Sequence, residues 1–226
     1  MPPKVTKSDL IVLAKPNPDL WKTNTEYRQF ASFDPAAINL AVRIERRYFD
    51  GRVNVLFFDK VCVDHEETTG VPIFIELEKL LERLDPLLSE CHFILSEKQN
   101  SISNGMGQVH SNAKVQRISG FMMATFMVRY GRCQLFPLIA EVSPKLKGKM
   151  FDFLAFSQKD KLSYAQTKTV GVKLCLKFLE DNNDQESIVK IKSTDKKDDL
   201  ADTVLQTESF VRGFYDLKND NLKINL

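Results

Sequence analysis

The chain has 226 residues, 43% of them hydrophobic, and a formal net charge of +2. That is enough apolar material for one packed domain and excludes a wholly disordered chain. No apolar run approaches the roughly 20 residues that a membrane-spanning helix needs, and the first 13 residues lack the organisation of a secretory or organellar leader, so we expect an intracellular protein with no membrane contact.

The near-neutral total hides an asymmetry. Residues 59–90 hold nine acidic and three basic residues, whereas residues 98–149 hold eight basic and one acidic. A protein that turns one face to a polyanion has this kind of distribution. Cys62, Cys91, Cys133 and Cys175 are far apart. That spacing excludes a close-paired zinc site and a dense disulfide scaffold, and reduced, buried thiols are expected.

Residues 1–26 contain four prolines and no sustained period. They read as an N-terminal arm ahead of a domain at 27–226. The run 29–33 ends at Asp34-Pro35, where proline breaks regular structure. Alternation at 38–44 and a Val- and Phe-rich run at 53–63 flank the tight-turn pair Asp50-Gly51. Three strands so joined predict an antiparallel meander.

Ile73, Leu77, Leu80, Leu81, Leu84 and Leu87 recur at three and four, which predicts an amphipathic helix over 71–88. A buried strand at 91–95 ends at Ser96-Glu97. The small, polar stretch 100–108 reads as a loop, and 113–130 as a helix stopped by Gly131. Met122, Met123, Phe126 and Met127 fit core or dimer packing better than a nucleic-acid platform.

A strand over 133–142 follows, then a basic loop with Lys145, Lys147 and Lys149 around Gly148. A helix is predicted at 164–179, and 188–191 is a short strand or a lead-in. Thr194 or Asp195 caps a last helix that runs to about residue 214. The expected architecture is α/β, a mixed five-stranded sheet with helices on both faces.

Four carboxylates stand out by position. Asp34 ends the first strand, Glu97 ends the fourth, and Asp199 and Asp202 occupy the first turns of the last helix. The i, i+3 spacing puts that pair on one helix face, with β-carbons about 5–6 Å apart. If the first and fourth strands are neighbours, all four acids converge and repel unless cations sit among them. Hard oxygen donors favour Mg²⁺, with Mn²⁺ able to substitute. Two such ions about 3.5–4 Å apart activate a water and stabilise the leaving oxygen in phosphodiester hydrolysis. His65, His92 and His110 have no partners at ligand spacing.

The stretch Phe33-Asp34-Pro35-Ala36-Ala37-Ile38-Asn39-Leu40-Ala41 resembles the first-strand motif of the RuvC-type Holliday junction resolvases. Ile94-Leu95-Ser96-Glu97-Lys98-Gln99 resembles their second motif, and Lys196-Lys197-Asp198-Asp199-Leu200-Ala201-Asp202 their C-terminal helix motif. The poxvirus and iridovirus resolvases are the nearest match, with the fungal mitochondrial ones next.

The resemblance implies an RNase H-like fold and a homodimer that resolves four-way DNA junctions by paired symmetric nicks. It implies two Mg²⁺ ions per site and no small-molecule cofactor. Asp34 would bridge both ions, Glu97 would hold one and orient the attacking water, and Asp199 and Asp202 would complete the sites. Asp198 competes with Asp199 for that role. Within an infected host cell is the setting that a viral kinship implies; a mitochondrial one comes second.

Two positions depart from the family pattern. Ala36 stands where glycine is usual, which bears on turn geometry. Asn100 stands where some cellular relatives carry an aromatic wedge, and Met106 is the substitute candidate. Lys98, Lys114, Arg117, Lys145, Lys147 and Lys149 are the candidate DNA-phosphate contacts, since a branched junction is read by shape and backbone. Two other readings remain: a nuclease acting on RNA–DNA hybrids or flaps, and a non-cleaving branched-DNA binding protein.

Overall fold

Alternating apolar residues in the first third of the chain build the predicted meander. Strands β2 (Tyr27–Asp34), β3 (Leu40–Tyr48) and β4 (Val53–Val61) pair antiparallel in sequence order. The computed structural model describes residues 5–16, 26–64, 71–99, 109–132, 137–151, 153 and 162–223. At the β3–β4 turn, the Gly51 N–H donates to the Tyr48 carbonyl (3.0 Å). Gly51 has φ +97°, a conformation that a residue with a β-carbon adopts only at a cost.

Helix α1 (Val71–Leu88) buries Ile73, Leu77, Leu80, Leu81 and Leu84 of the predicted stripe, and Leu88 as well, whereas Leu87 is half-buried. The chain returns as β5 (Phe93–Glu97), parallel to β2. Helix α2 (Val109–Tyr130) then crosses to β6 (Leu138–Val142), parallel to β5. Gly131 ends α2 by donating to the Phe126 and Met127 carbonyls. A β-carbon there would lie 2.5 Å from the Met127 oxygen, so the stop requires glycine.

The sheet has six strands where five are predicted, in the order β1-β6-β5-β2-β3-β4. The additional strand, β1 (Leu10–Ala14), lies inside the segment that reads as an irregular arm, and it pairs antiparallel with β6. Its five residues are too few to show a period, and its partner lies far downstream, so local pattern carries no trace of the pairing.

Four helices follow: α3 (Lys145–Phe151), α4 (Tyr164–Asp181), α5 (Gln185–Ser193) and α6 (Lys197–Phe214). A short hairpin, β7 (Tyr215–Asp216) with β8 (Asn221–Leu222), comes last. Three local expectations are corrected. The basic loop at 145–149 is helical, because Leu146 packs into the sheet core and Lys147 is buried beside it, while Lys145 and Lys149 face outwards. Residues 188–191 are helical, started by Asp184, whose side chain accepts the Ser187 N–H (3.1 Å). Helix α6 is capped by neither Thr194 nor Asp195. It begins after Lys196, which is left-handed (φ 48°, ψ 65°) and makes no side-chain cap bond.

Helices cover both faces. Ala31, Phe33, Val42, Ile44, Ile94 and Ile139 pack on one side with α1 and α2, including Met122, Met123 and Phe126. The methionine group is thus core, apart from Met127, which is 36% exposed. On the other side Phe30 stacks on Phe93 (centroids 4.5 Å apart) beneath Phe210 and Phe214 of α6. Cys175, Leu179, Ile188, Ile191, Leu200 and Val204 join α4, α5 and α6. Cys91 and Cys175 are buried and Cys62 is half-buried; Cys133 lies outside the described residues. Among the described residues no helix is long and apolar enough to cross a membrane.

A buried ionic chain ties β3 to the helices on this second face. Arg43, Glu45 and Arg47 alternate along β3 and are almost completely buried. Arg47 donates to Glu45 (2.6 Å) and to Glu208 of α6 (2.5 Å), and Arg212 donates to Glu208 (2.7 Å). Arg43 pairs with Glu45 and donates to Asp184 at the start of α5 (3.0 Å). Burial alone raises the Glu45 carboxyl, but the Arg47 and Arg43 guanidiniums outweigh it and hold it at about 2.

A carboxyl depressed in the folded state stabilises the protein fully above its ordinary value of 4.5 and loses that contribution as pH falls towards about 2. Glu45→Gln removes the carboxylate that two buried guanidiniums share, leaving Arg43 only Asp184 and Arg47 only Glu208 as charged partners. It should cost about 3–5 kcal/mol at neutral pH, read by urea unfolding, and should flatten the loss of stability between pH 4.5 and 2.

Candidate active site

Parallel pairing of β2 with β5 sets the site. The last paired residues are Phe33 and Ser96, so Asp34 and Glu97 leave the sheet side by side at its carboxyl end. In open α/β sheets this edge, where neighbouring strands connect in opposite directions, is where ligands bind. Helix α6 lies against the same strands, with Gln206 donating to Ser32 Oγ (3.0 Å). One and two turns earlier on α6 stand Asp202 and Asp199.

The four acids share one electrostatic environment. Burial raises the Asp34 carboxyl well above the usual carboxylate range, and Glu97, Asp202 and Asp199 add to the rise. Asp199 is pushed up to about 6, by burial first and then by neighbouring Asp198. The two α6 candidates differ in their partners. Asp198 pairs with Lys168 of α4, whereas one Asp199 oxygen is buried with no hydrogen-bond partner.

The counter-charge comes from Lys147. Sequence places it in a basic loop as a phosphate contact, but the structure places it on α3, only 6% exposed. Its ammonium lies 2.6 Å from Glu97 Oε2 and 2.9 Å from Asp202 Oδ1. Burial works against the charged form, yet Asp202, Glu97 and Asp34 together raise the Lys147 pKa above that of a free lysine. Nothing local marks this lysine off from Lys145 and Lys149. Its inward direction comes from Leu146 and Lys147 both facing the interior of a helix that the sequence does not reveal.

The remaining basic candidates divide. Lys145 and Arg117 are exposed and Lys98 is half-buried beside Glu141. Lys114 pairs with Asp64, and Lys149 with Asp9. Three cations that sequence reasoning passes over, Lys60, Lys168 and Lys196, act electrostatically on Asp199. Lys196 is visible in the sequence beside Asp198; the other two arrive from β4 and α4 by folding. His92 is buried, accepts the Gln29 N–H (3.1 Å) at Nδ1 and is held near 3 by burial and Arg28. His65, Asn100, Met106 and the side chain of His110 lie outside the described residues.

The donor set fits a hard divalent cation: four carboxylates, one of them raised by burial and another with an orphan oxygen. Among the described residues no three acids stand close enough together to hold an ion as placed. The Lys147 ammonium already engages two of them, so a cation here competes with Lys147 for the same oxygens.

The chain therefore has an α/β fold, a mixed sheet with helices, similar to that of the RuvC-like resolvases. The yeast mitochondrial Holliday junction resolvase Ydc2 superposes with a TM-score of 0.57 at 17% identity, over 86% of this chain and 84% of that one. RuvC of T. thermophilus, solved in complex with a Holliday junction substrate, gives 0.52 at 12% identity, over 81% of this chain and 93% of that one. No protein-family model and no curated protein matches the chain.

Lys147→Met leaves Asp34, Glu97 and Asp202 without their shared cation. At neutral pH with EDTA we expect a loss of about 1–3 kcal/mol. Added Mn²⁺ should raise the melting temperature of this variant by more than it raises the wild type's. Calorimetry of both proteins with EDTA and with Mn²⁺ gives the comparison; equal Mn²⁺ shifts would contradict direct competition between Lys147 and the ion.

Proposed function

We propose that this protein is a metal-dependent DNA endonuclease that resolves four-way junctions, on an RNase H-like fold and as a homodimer making paired symmetric nicks. One observation carries the reading. At the carboxyl ends of two adjacent parallel strands Asp34 lies within electrostatic reach of Glu97, Asp202 and Asp199, on a fold similar to that of two junction resolvases. The motif stretches around Asp34 and Asp202 resemble those of the poxvirus and iridovirus resolvases, and on that resemblance we propose a viral origin and a setting inside the host cell.

Asp34, Glu97, Asp202 and Asp199 would hold two Mg²⁺ ions, or Mn²⁺ in their place. Bound ions would supply an activated water and charge stabilisation at the phosphodiester. Asp199 is preferred to Asp198, because Asp198 is engaged by Lys168 while Asp199 has an oxygen to offer. Glu97, mostly buried at the strand end beside Lys147, would orient the attacking water. Lys147 would neutralise the acids when no cation is bound. Exposed Lys145 and Arg117, with Lys98, would lie along the DNA backbone, where phosphate contacts set position more than sequence.

The test is cleavage of a mobile four-way junction, a flap and an RNA–DNA hybrid, each with Mg²⁺, Mn²⁺ or EDTA. Paired nicks in the junction alone, lost with EDTA, are expected. Preferential cutting of the hybrid or flap would replace the substrate, and EDTA-resistant cutting would overturn the metal mechanism. Asp34→Asn should reduce cutting by about a thousandfold or more and leave junction affinity within a fewfold. Gel filtration, free and junction-bound, should report a dimer.

A further inference from the structure

The N-terminal segment makes contacts that a passive edge strand does not need. Asp9, in a single 3-10 turn before β1, is only 3% exposed. Its carboxylate accepts Lys149 Nζ at 2.7 and 2.8 Å, and also the Thr6 N–H and hydroxyl, both at 2.8 Å. Its backbone carbonyl accepts the Ser143 N–H (2.9 Å). Ser143 is the hinge between β6 and α3: its carbonyl takes the Leu146 N–H (2.9 Å) and its hydroxyl the Lys145 N–H (3.3 Å). Asp9 thus grips α3 at both ends, through Ser143 at the start and through Lys149 near the finish. Val5 closes the clasp, lying 3.1 Å from where a β-carbon on Gly213 of α6 would stand, with Met150 of α3 at 3.7 Å from the same point.

Helix α3 has seven residues, too short to hold its own geometry in water. Its position must come from outside, and Lys147 on it is the cation between Glu97 and Asp202. We infer that Asp9 is a positioning residue for the active centre: the N-terminal segment is a strap that fixes α3, so that Lys147 reaches the carboxylates. Asp9 touches none of the four acids and acts only through the helix. The inference rests on the cleavage reading for its consequence in activity, but not for the clamp itself.

Four proteins, wild type, Asp9→Asn, Lys149→Met and Lys149→Arg, are compared in two measurements. The first is amide hydrogen exchange across residues 145–151. The second is single-turnover cutting of pre-bound four-way junction across a Mg²⁺ titration, alongside junction affinity. Asp9→Asn and Lys149→Met should speed exchange in α3 by about tenfold or more, with the amides of α6 unchanged. The Mg²⁺ concentration for half-maximal cutting should fall by about threefold or more, while junction affinity stays within about twofold, because a loosened α3 withdraws the ammonium that competes with the cation for Glu97 and Asp202. Lys149→Arg, which keeps the ion pair, should restore both.

Unchanged exchange in α3 overturns the clamp. Faster exchange with a Mg²⁺ requirement equal to or above the wild type's overturns the positioning role. A fall in junction affinity beyond about twofold assigns Asp9 to DNA binding instead, which also overturns it. If Asp9→Asn does not fold, Lys149→Met interrogates the same ion pair from its more exposed side. A wild type that cuts no junction strikes the cleavage reading alone, and the exchange measurement still decides whether Asp9 holds α3.

Discussion

Like charges gathered in a partly desolvated place must be neutralised or protonated, and much of this structure answers that constraint. Parallel pairing of β2 with β5 delivers Asp34 and Glu97 together, and α6 adds Asp199 and Asp202 from above. The effective dielectric at such a site lies well below that of water, so the mutual repulsion is large. Two responses are visible at once. The Asp34 carboxyl moves towards its neutral form, and Lys147 comes in from α3 as a shared cation. A site that draws in a buried lysine to balance its acids is, by the same argument, one where the proposed divalent cations would find charge to neutralise.

The scaffold around this site is itself ionic. The chain from Asp184 through Arg43, Glu45 and Arg47 to Glu208 and Arg212 is largely buried. Buried pairs return little net stability once desolvation is counted. Their geometric demand is the more informative property. Each guanidinium accepts only a narrow range of carboxylate positions, so β3 fixes where α5 begins and where the middle of α6 lies. Asp199 and Asp202 are carried on that same α6. Apolar packing by Leu200, Val204 and Phe210 supplies adhesion, and the ion chain supplies register.

The likeness to Ydc2 and to RuvC is one of fold at low identity, and a fold hosts many chemistries. What supports the proposed reading is local: Asp34 lies within electrostatic reach of three further acids, and Lys60, Lys168 and Lys196 act on Asp199. Positive groups set so close to negative ones would, in that reading, suit the approach of a phosphodiester.

Strong periodicity made the larger elements legible. The Leu77–Leu84 stripe, the Asp50-Gly51 turn and the glycine stop at Gly131 each encode structure within a few residues, so α1, the meander and the end of α2 could be read directly. The candidate acids were picked out by position, Asp34 in a motif stretch, Asp199 and Asp202 by their spacing and Glu97 by its place at a strand end. The β1–β6 pairing, the short helix α3 and the inward turn of Lys147 left no such trace. Each depends on partners far along the chain: Val142 for Leu10, Asp9 for Lys149, Glu97 and Asp202 for Lys147. Local pattern determined which residues could hold cations. Only the packed tertiary structure decided which lysine would stand among them, because long-range burial and charge choose between side chains that are equivalent in sequence.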